Sequence, residues 1–380
     1  RLHGGAGQRD VAIYTDAGAA VLVDLRVRSA QDTGGGGIDT LTRVERVMGS
    51  RFADLLTGNG AGNWLWGDDG DDKLAAGAGN DVLIGGAGDD LLDGGAGNDL
   101  ANYDGAAGGV AVDLGLIGPQ DTIGAGIDSL AGVERVYGTG FGDRLAGDAG
   151  ANGLRGSGGD DDLTGGGGND WLDGGAGDDR IDGGAGERDT ASYAGAAAGV
   201  AVDLALTAAQ DTLGAGLDTL SGIERLAGSA WGDSLAAADG GTLLSGRAGD
   251  DFLTGGAGRD ILDGGAGDDI LAGGAGSDRL RGGAGGDRFV FAPTGDDHVV
   301  TDFEDGIDRL DLSAFGPAFY MDVYTLNQFF PDDHNVYIYI DGPDDGADAQ
   351  IVTLENFLLL NPFGWVTAED LAAASAGGAI

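Results

Sequence analysis

The stretch GGAGDDLLDGGAGND, Gly85 to Asp99, writes nearly the same nine residues twice. Apart from Gly and Ala it holds only Asp or Asn and Leu. The underlying pattern is G-G-x-G-x-D-x-U-x, with U apolar. In one array it begins at Gly58, Gly67, Ala76, Gly85 and Gly94; in a second at Gly147, Gly156, Gly165, Gly174 and Gly183. A third opens with a degenerate copy at Ala237 and continues at Gly246, Gly255, Gly264, Gly273 and Gly282. A fixed short period of this kind is the signature of stacked repeats.

Six residues of each block suit a turn, where glycine supplies positive backbone angles, and three suit a short strand. Strands this short do not stand alone. Stacked as a solenoid, they share one narrow core, each turn touching only its neighbours. The eighth position fills that core: Leu74, Leu83, Leu92, Leu163, Leu172, Ile181, Leu253, Leu262, Leu271, Leu280 and Phe289.

The sixth position is an acid: Asp72, Asp81, Asp90 and Asp99; Asp161, Asp170 and Asp179; Asp251, Asp260, Asp269, Asp278 and Asp287. Stacking sets these carboxylates about one strand spacing apart, roughly 4.8 Å. A bare row of like charges is repulsive. A hard divalent cation between loops reverses the sign: calcium takes roughly 6–8 oxygens from carboxylates and backbone carbonyls. Glycine then shapes the ligand loop, Asp holds the ion, and Leu fills the core.

Composition agrees. The 380 residues carry a formal net charge of −44 and 81 Gly, which alone would favour disorder, yet 42% are hydrophobic. Charge and core are compatible if a cation neutralises the acid on folding. With 20 Lys+Arg against 64 Asp+Glu and no basic cluster, nucleic acid is an unsuitable partner, and an anionic membrane is repelled. Without cysteine there is no disulfide scaffold. No stretch is apolar enough to give a membrane span. The segment LHGGAGQRD after Arg1 reads as the end of a repeat under way, which implies a piece of a longer chain.

The nonapeptide resembles the RTX (repeats-in-toxin, hemolysin-type) calcium-binding repeat. The resemblance implies an all-β fold: a right-handed parallel β-roll or β-helix solenoid, two nonapeptides per turn, with calcium between turns. A loop then shares calcium with the loop two blocks later, pairing Asp72 with the Gly85 loop, Asp81 with the Gly94 loop and Asp251 with the Gly264 loop. The implied ligands add to the acids above the glycines at the second and fourth positions of the loops: Gly86, Gly88, Gly95 and Gly97; Gly166, Gly168, Gly175 and Gly177; Gly256, Gly258, Gly265, Gly267, Gly274 and Gly276. Roughly ten Ca²⁺ would offset about 20 of the 44 negative charges. Asn63, Asn152 and Thr242 take the sixth position in the first block of each array, so those sites are expected to be weak or empty. The block GGAGERDTA carries one extra residue, which leaves the place of Asp189 open.

A longer period overlies the short one. VLVDL at Val21–Leu25 returns as VAVDL at Val110–Leu114 and Val200–Leu204. VERV at Val44–Val47 returns at Val133–Val136, and as IERL at Ile223–Leu226; FADLL at Phe52 is echoed at Phe141 and Trp231. The chain thus reads as long units 1–57, 103–146 and 192–236, each followed by an array, 58–102, 147–191 and 237–290, with a C-terminal region 291–380. The long units are expected to be wider turns of the same solenoid, with Leu130, Val133 and Val136 inward and an exposed loop around Pro119–Gly126. The recurrent Glu45, Glu134 and Glu224, with Asp24, Asp113 and Asp203, are either further calcium ligands or satisfied structural groups.

After Phe291 glycine thins and aromatics rise. DDHVVTDFEDGIDRLDLSAFG, Asp296–Gly316, resembles the segment that follows the β-roll in serralysin-type proteases. A hairpin is expected between Asn335–Ile340 and Ala349–Phe357, within a β-rich cap over the open end of the solenoid. The resemblance also implies a C-terminal type I secretion signal, hence export from a Gram-negative bacterium to an extracellular location. The three histidines, His3, His298 and His334, are scattered, and no zinc-hydrolase, nucleophile-elbow or P-loop motif occurs. No enzyme is expected within these residues. Two functions fit: a calcium-folded secretion module, with calcium and the type I machinery as partners, or a structural extracellular protein such as an adhesin or surface-layer component, self-associating or binding a cell-surface partner.

Overall fold

The computed structural model describes residues 2–4, 7, 9–186, 188–304, 306–315, 320–325, 336–341 and 350–355. Contacts divide the chain into two units, Arg1–Asp189 and Thr190–Ile380. Both are all-β; among the described residues the one helical element is a single 3-10 turn, Ser313–Phe315.

In the first unit, strands fall alternately into two parallel sheets. Trp64–Asp69 pairs with Val82–Ala87, setting Leu65 opposite Leu83. Lys73–Ala78 pairs with Leu91–Ala96, setting Leu74 opposite Leu92. Partners are eighteen residues apart, so one coil is two nonapeptides. The register stacks identical positions. Val23, Leu56, Leu74, Leu92 and Leu130 form one row, and Val47, Leu65, Leu83, Ala101, Val136, Leu154 and Leu172 the other. Both rows are buried, which gives a parallel β-roll with a core one residue deep on each side. So thin a core has little slack: Leu83→Ala should lower stability by about 2–5 kcal/mol, read from denaturant melts in saturating calcium.

The long units are wider turns of this coil. Ile127–Ala131 stacks on Leu91–Ala96, and Arg135–Tyr137 on Leu100–Asn102. Leu130, Val133 and Val136 are buried. The loop around Pro119–Gly126 is only partly exposed, a correction to the expectation from sequence. Gln120–Asp121 folds back antiparallel on Ile127–Ala131, and the Thr122 hydroxyl, buried, donates toward the Gly126 carbonyl and Asp128. Ile117 and Ile123 stay outside.

The second unit repeats the scheme, with Val202, Leu235, Leu253, Leu271, Phe289 and Leu310 in one row and Leu226, Leu244, Leu262, Leu280, Val300 and Leu354 in the other. At its end the pairing changes sense. Gln350–Leu354 runs parallel to His298–Val300 but antiparallel to Val336–Asp341, which is antiparallel to Tyr320–Thr325. These strands cover the edge that the last coil would otherwise leave open. Residues 342–349, through which the hairpin is expected to turn, and all residues after 355 lie outside the described residues, as does much of the region 291–380 in which the secretion signal is expected.

Loop geometry demands glycine where coils approach. Gly86 has φ +115°, and a methyl group there would collide with the Asp68 carbonyl oxygen of the coil below. At the equivalent second position Asp68, Ser157 and Arg247 hold φ of 86°, 92° and 80° without being glycine. That conformation costs an L-residue roughly 1–2 kcal/mol. Ser157→Gly should therefore stabilise the calcium-loaded chain by about 1 kcal/mol, seen as a later denaturant midpoint.

Candidate metal centre

The sixth-position side chains form ladders along the coil. In each, a carboxylate reaches back one turn and accepts a backbone N–H. The Asp54 N–H donates to Oδ1 of Asp72 (2.7 Å), that of Asp72 to Asp90 (2.9 Å), and that of Asp90 to Asp128 (3.0 Å). On the other side Asn63 donates to Asp81, Asp81 to Asp99 (2.8 Å), and Asp99 to Oε2 of Glu134 (2.8 Å). The second array repeats this through Asp143, Asp161 and Asp179, and through Asn152, Asp170 and Asp189. The step to Asp189 spans nineteen residues rather than eighteen, so the extra residue is absorbed before the ladder resumes. In the second unit the runs are Asp233, Asp251, Asp269, Asp287, Asp308 and Thr242, Asp260, Asp278.

One carboxylate oxygen is thus used by the fold. The second is not. Oδ2 of Asp72, Asp81, Asp90, Asp99, Asp161, Asp170, Asp251 and Asp269 is buried without a hydrogen-bond partner. Such an atom is costly unless something unseen satisfies it. Its surroundings are oxygen-rich. A methyl group built on Gly67 would strike both Oδ2 of Asp72 and the carbonyl oxygen of Gly85, one turn on. The same trio recurs at Gly156 with Asp161 and Gly174, at Gly246 with Asp251 and Gly264, and at Gly264 with Asp269 and Gly282. The second and fourth glycines of each loop, Gly86 and Gly88 or Gly265 and Gly267, lie against carbonyls of the coil below. Among the described residues no three acidic or histidine side chains converge, so a cation here must draw on carbonyls together with carboxylates. That donor set is the one hard oxygen-seeking cations take.

Without a cation the fold raises the pKa of these acids. Burial, reinforced by neighbouring carboxylates and opposed by the backbone N–H bond, pushes Asp72 and Asp161 up to about 8. Asp90, Asp251 and Asp269 rise to about 7 for the same reason. Asp81, Asp170 and Asp260 rise to about 6.

The ladders end in groups the protein satisfies itself. Asp128 accepts from the Tyr103 hydroxyl (3.0 Å) as well as Thr122. Glu45 and Glu134 accept backbone N–H groups of Asp10 and Asp99, and Asp113 accepts that of Gly115; these are structural contacts. At the other end stand Asp54, Asp143 and Asp233, three ladder acids not foreseen from the sequence. Asp143 accepts the Val110 N–H (2.7 Å), the Thr139 N–H (2.6 Å) and the Thr139 hydroxyl (2.9 Å). Asp54 and Asp233 do the same with Ser50 and Ser229. Their segments, from Gly49, Gly138 and Gly228, are nonapeptides in phase with the arrays. In these three blocks Ser50, Thr139 and Ser229 supply hydrogen bonds that most interior acids lack; Ser157, at φ 92°, does not do so for Asp161. Asn63 and Asn152 close their rows similarly, accepting from the N–H of Asn59 or Asp148 and donating to the Glu45 or Glu134 carbonyl.

This geometry defines a class: a parallel β-roll carrying rows of half-satisfied buried carboxylates. A family model for the RTX calcium-binding nonapeptide repeat matches residues 43–74, 66–101, 128–163, 137–172, 155–187, 237–271 and 263–291. The matched segments, which take in the three arrays, are RTX calcium-binding repeats. A search of curated proteins returned no match. Among solved structures the chain is similar to the extracellular lipase LipA from Serratia marcescens, at 17% identity and a TM-score of 0.16, over 84% of this chain and 38% of the lipase. The chain spans well under half of that protein, whose lipase activity is its own. No helix among the described residues is long and apolar enough to cross a membrane.

Proposed function

We propose that these residues form a calcium-folded secretion module, unfolded inside the cell and folded outside after type I export. The proposed ligands are Asp72, Asp81, Asp90 and Asp99, Asp161, Asp170 and Asp179, and Asp251, Asp260, Asp269, Asp278 and Asp287, with loop carbonyls that include those of the second and fourth glycines. The observation that carries the reading is the repeated buried Oδ2 with no hydrogen-bond partner beside a glycine carbonyl. Bound calcium supplies positive charge and coordination for several oxygens at once. The protein's part is to hold Oδ1 on a backbone N–H of the coil before, so that Oδ2 faces the carbonyls. Asp54, Asp143 and Asp233, already satisfied, are placed outside the ligand set. Roughly ten ions fit the interior steps.

Binding energy then becomes folding energy. Extracellular calcium, in the millimolar range, matches the affinities of extracellular modules. The test is far-UV circular dichroism from chelator to about 10 mM calcium, with magnesium as control. A cooperative coil-to-β transition with calcium alone is expected. A chain already fully β in chelator at neutral pH would sink the proposal.

A second reading, self-assembly as a structural extracellular protein, draws on one surface feature. Ile13, Met48, Trp66 and Ile84 stand in one outward row, with Ile13 61% and Trp66 39% exposed. Concentration-dependent light scattering in calcium that Trp66→Ser abolishes would favour it.

A further inference from the structure

Among the positions where the first long unit departs from both of its copies, four are arginines: Arg51, and three that the fold brings together. Arg26 stands where the copies have Gly115 and Ala205, Arg28 where they have Ile117 and Thr207, and Arg43 where they have Gly132 and Gly222. Cationic side chains are scarce in a chain of net charge −44 with 20 Lys+Arg, and nothing local in the sequence gathers these three. The fold does: all three line one cavity of about 800 Å³, with His3 beside them.

Arg43 bears a backbone cost for being there. Its φ is 55°, matching Gly132 at 56° and Gly222 at 60°, a left-handed conformation that favours glycine. The copies take the relaxed residue and the first unit does not. Arg26 is held by Asp24 through two bonds of 2.9 and 2.8 Å, so its charge is compensated. Arg28 and Arg43 have no acid within ion-pair distance among the described residues, and both are exposed. The one acid in the lining, Glu45, is engaged by the Asp10 N–H. The floor is apolar and buried, made by Leu25, Leu41 and Val44. Asn59 and Thr42 add an amide and a hydroxyl at the wall.

We infer that this cavity binds an acidic saccharide, its carboxylate or sulfate groups taken by Arg28 and Arg43 and its ring by the apolar floor. Guanidinium forks suit planar carboxylate and tetrahedral oxyanions alike. The volume suits a ligand of one or two rings. Neutral polar groups beside the arginines suit ring hydroxyls. The assignment goes beyond calcium binding and involves none of the ladder residues.

The experiment is calorimetric titration of the full calcium-loaded chain with four probes: a sulfated uronic-acid disaccharide, the same disaccharide without sulfate, a neutral disaccharide, and an acidic peptide of equal charge. The two acidic disaccharides separate carboxylate from sulfate recognition. The variant Arg28→Ile with Arg43→Gly restores the residues of the second copy and should fold at the same calcium concentration as the parent. Sub-millimolar binding of at least one acidic disaccharide, weakened tenfold or more in the variant, is expected. Equal binding by parent and variant, equal binding of the neutral disaccharide or the peptide, or no binding of any probe would overturn the inference.

Discussion

In chelator the fold is expected to be most stable in mild acid and to be lost as pH rises, the reverse of a protein held by ion pairs. The sign follows from the buried acids. Their pKa values in the fold lie at about 6 for Asp81, Asp170 and Asp260, about 7 for Asp90, Asp251 and Asp269, and about 8 for Asp72 and Asp161, against 3.8 unperturbed. Between those values the folded chain holds more protons than the unfolded one. Stability contributed by these groups is therefore complete below 3.8 and disappears as pH rises through 6 to 8. A proton and a calcium ion do the same job here, cancelling a charge buried by its own stack. Circular dichroism in chelator should show β structure at about pH 5 and coil at about pH 8, with calcium restoring β at the higher pH. Calcium affinity should fall on acidification, since the ligands must first ionise. The acid measurement is best made at micromolar protein and above the isoelectric point of about 4.1, to avoid precipitation. Coil at both pH values in chelator would mean that charge burial is not what keeps the metal-free chain unfolded.

Much of this was readable from residues that work locally and repeat. Gly, Asp and Leu each have one task per nine residues, so a fixed phase exposes the turn, the ladder and the core at once. Leu74, Leu83 and Leu92 point inward because the strand is short and its period is set by the loop. What was not readable depends on partners far away in sequence. The blocks at Gly49, Gly138 and Gly228 have Gly first, Asp sixth and Leu eighth. Ser50, Thr139 and Ser229 at the second position hid them among the long units. Only the structure shows what these three residues do: their hydroxyl and N–H groups fill the carboxylates of Asp54, Asp143 and Asp233. The Tyr103–Asp128 bond closes a ladder across twenty-five residues, which no local pattern contains. Glu134 is likewise a ladder end, recognisable once Asp99 is seen to donate to it. The antiparallel strand Tyr320–Thr325 was missed because irregular sequence around it carries no period.

The contrast between open and closed carboxylates leads to the second large effect. Replacing three interior acids together, Asp72→Asn, Asp81→Asn and Asp90→Asn, should make the first array less dependent on calcium while removing its sites. Asparagine keeps Oδ1, so the N–H of Asp54, Asn63 and Asp72 each retain an acceptor. Its amide nitrogen would replace the unpartnered Oδ2 and face carbonyl oxygens to which it can donate. Asn63 and Asn152 show that an amide is accommodated at this position, there turned the other way, with Oδ1 on the loop N–H of Asn59 or Asp148 and Nδ2 toward the Glu45 or Glu134 carbonyl at 3.3 and 3.4 Å. Three buried charges vanish, and with them the repulsion that burial amplifies. The variant is expected to show more β structure than the parent in chelator at neutral pH, and to bind roughly three fewer calcium ions by equilibrium dialysis. Asp54→Asn is the control. Asp54 is already satisfied by Ser50 and Val21, so its loss should leave the calcium count unchanged and cost stability in calcium through a disturbed hydrogen-bond set. If the triple variant were as unfolded in chelator as the parent and bound as much calcium, the ladder would be structural and the ions would sit elsewhere. Improved folding together with lost calcium is the outcome that only a metal-bridged ladder produces, because ordinary removal of buried hydrogen-bonding acids destabilises a fold.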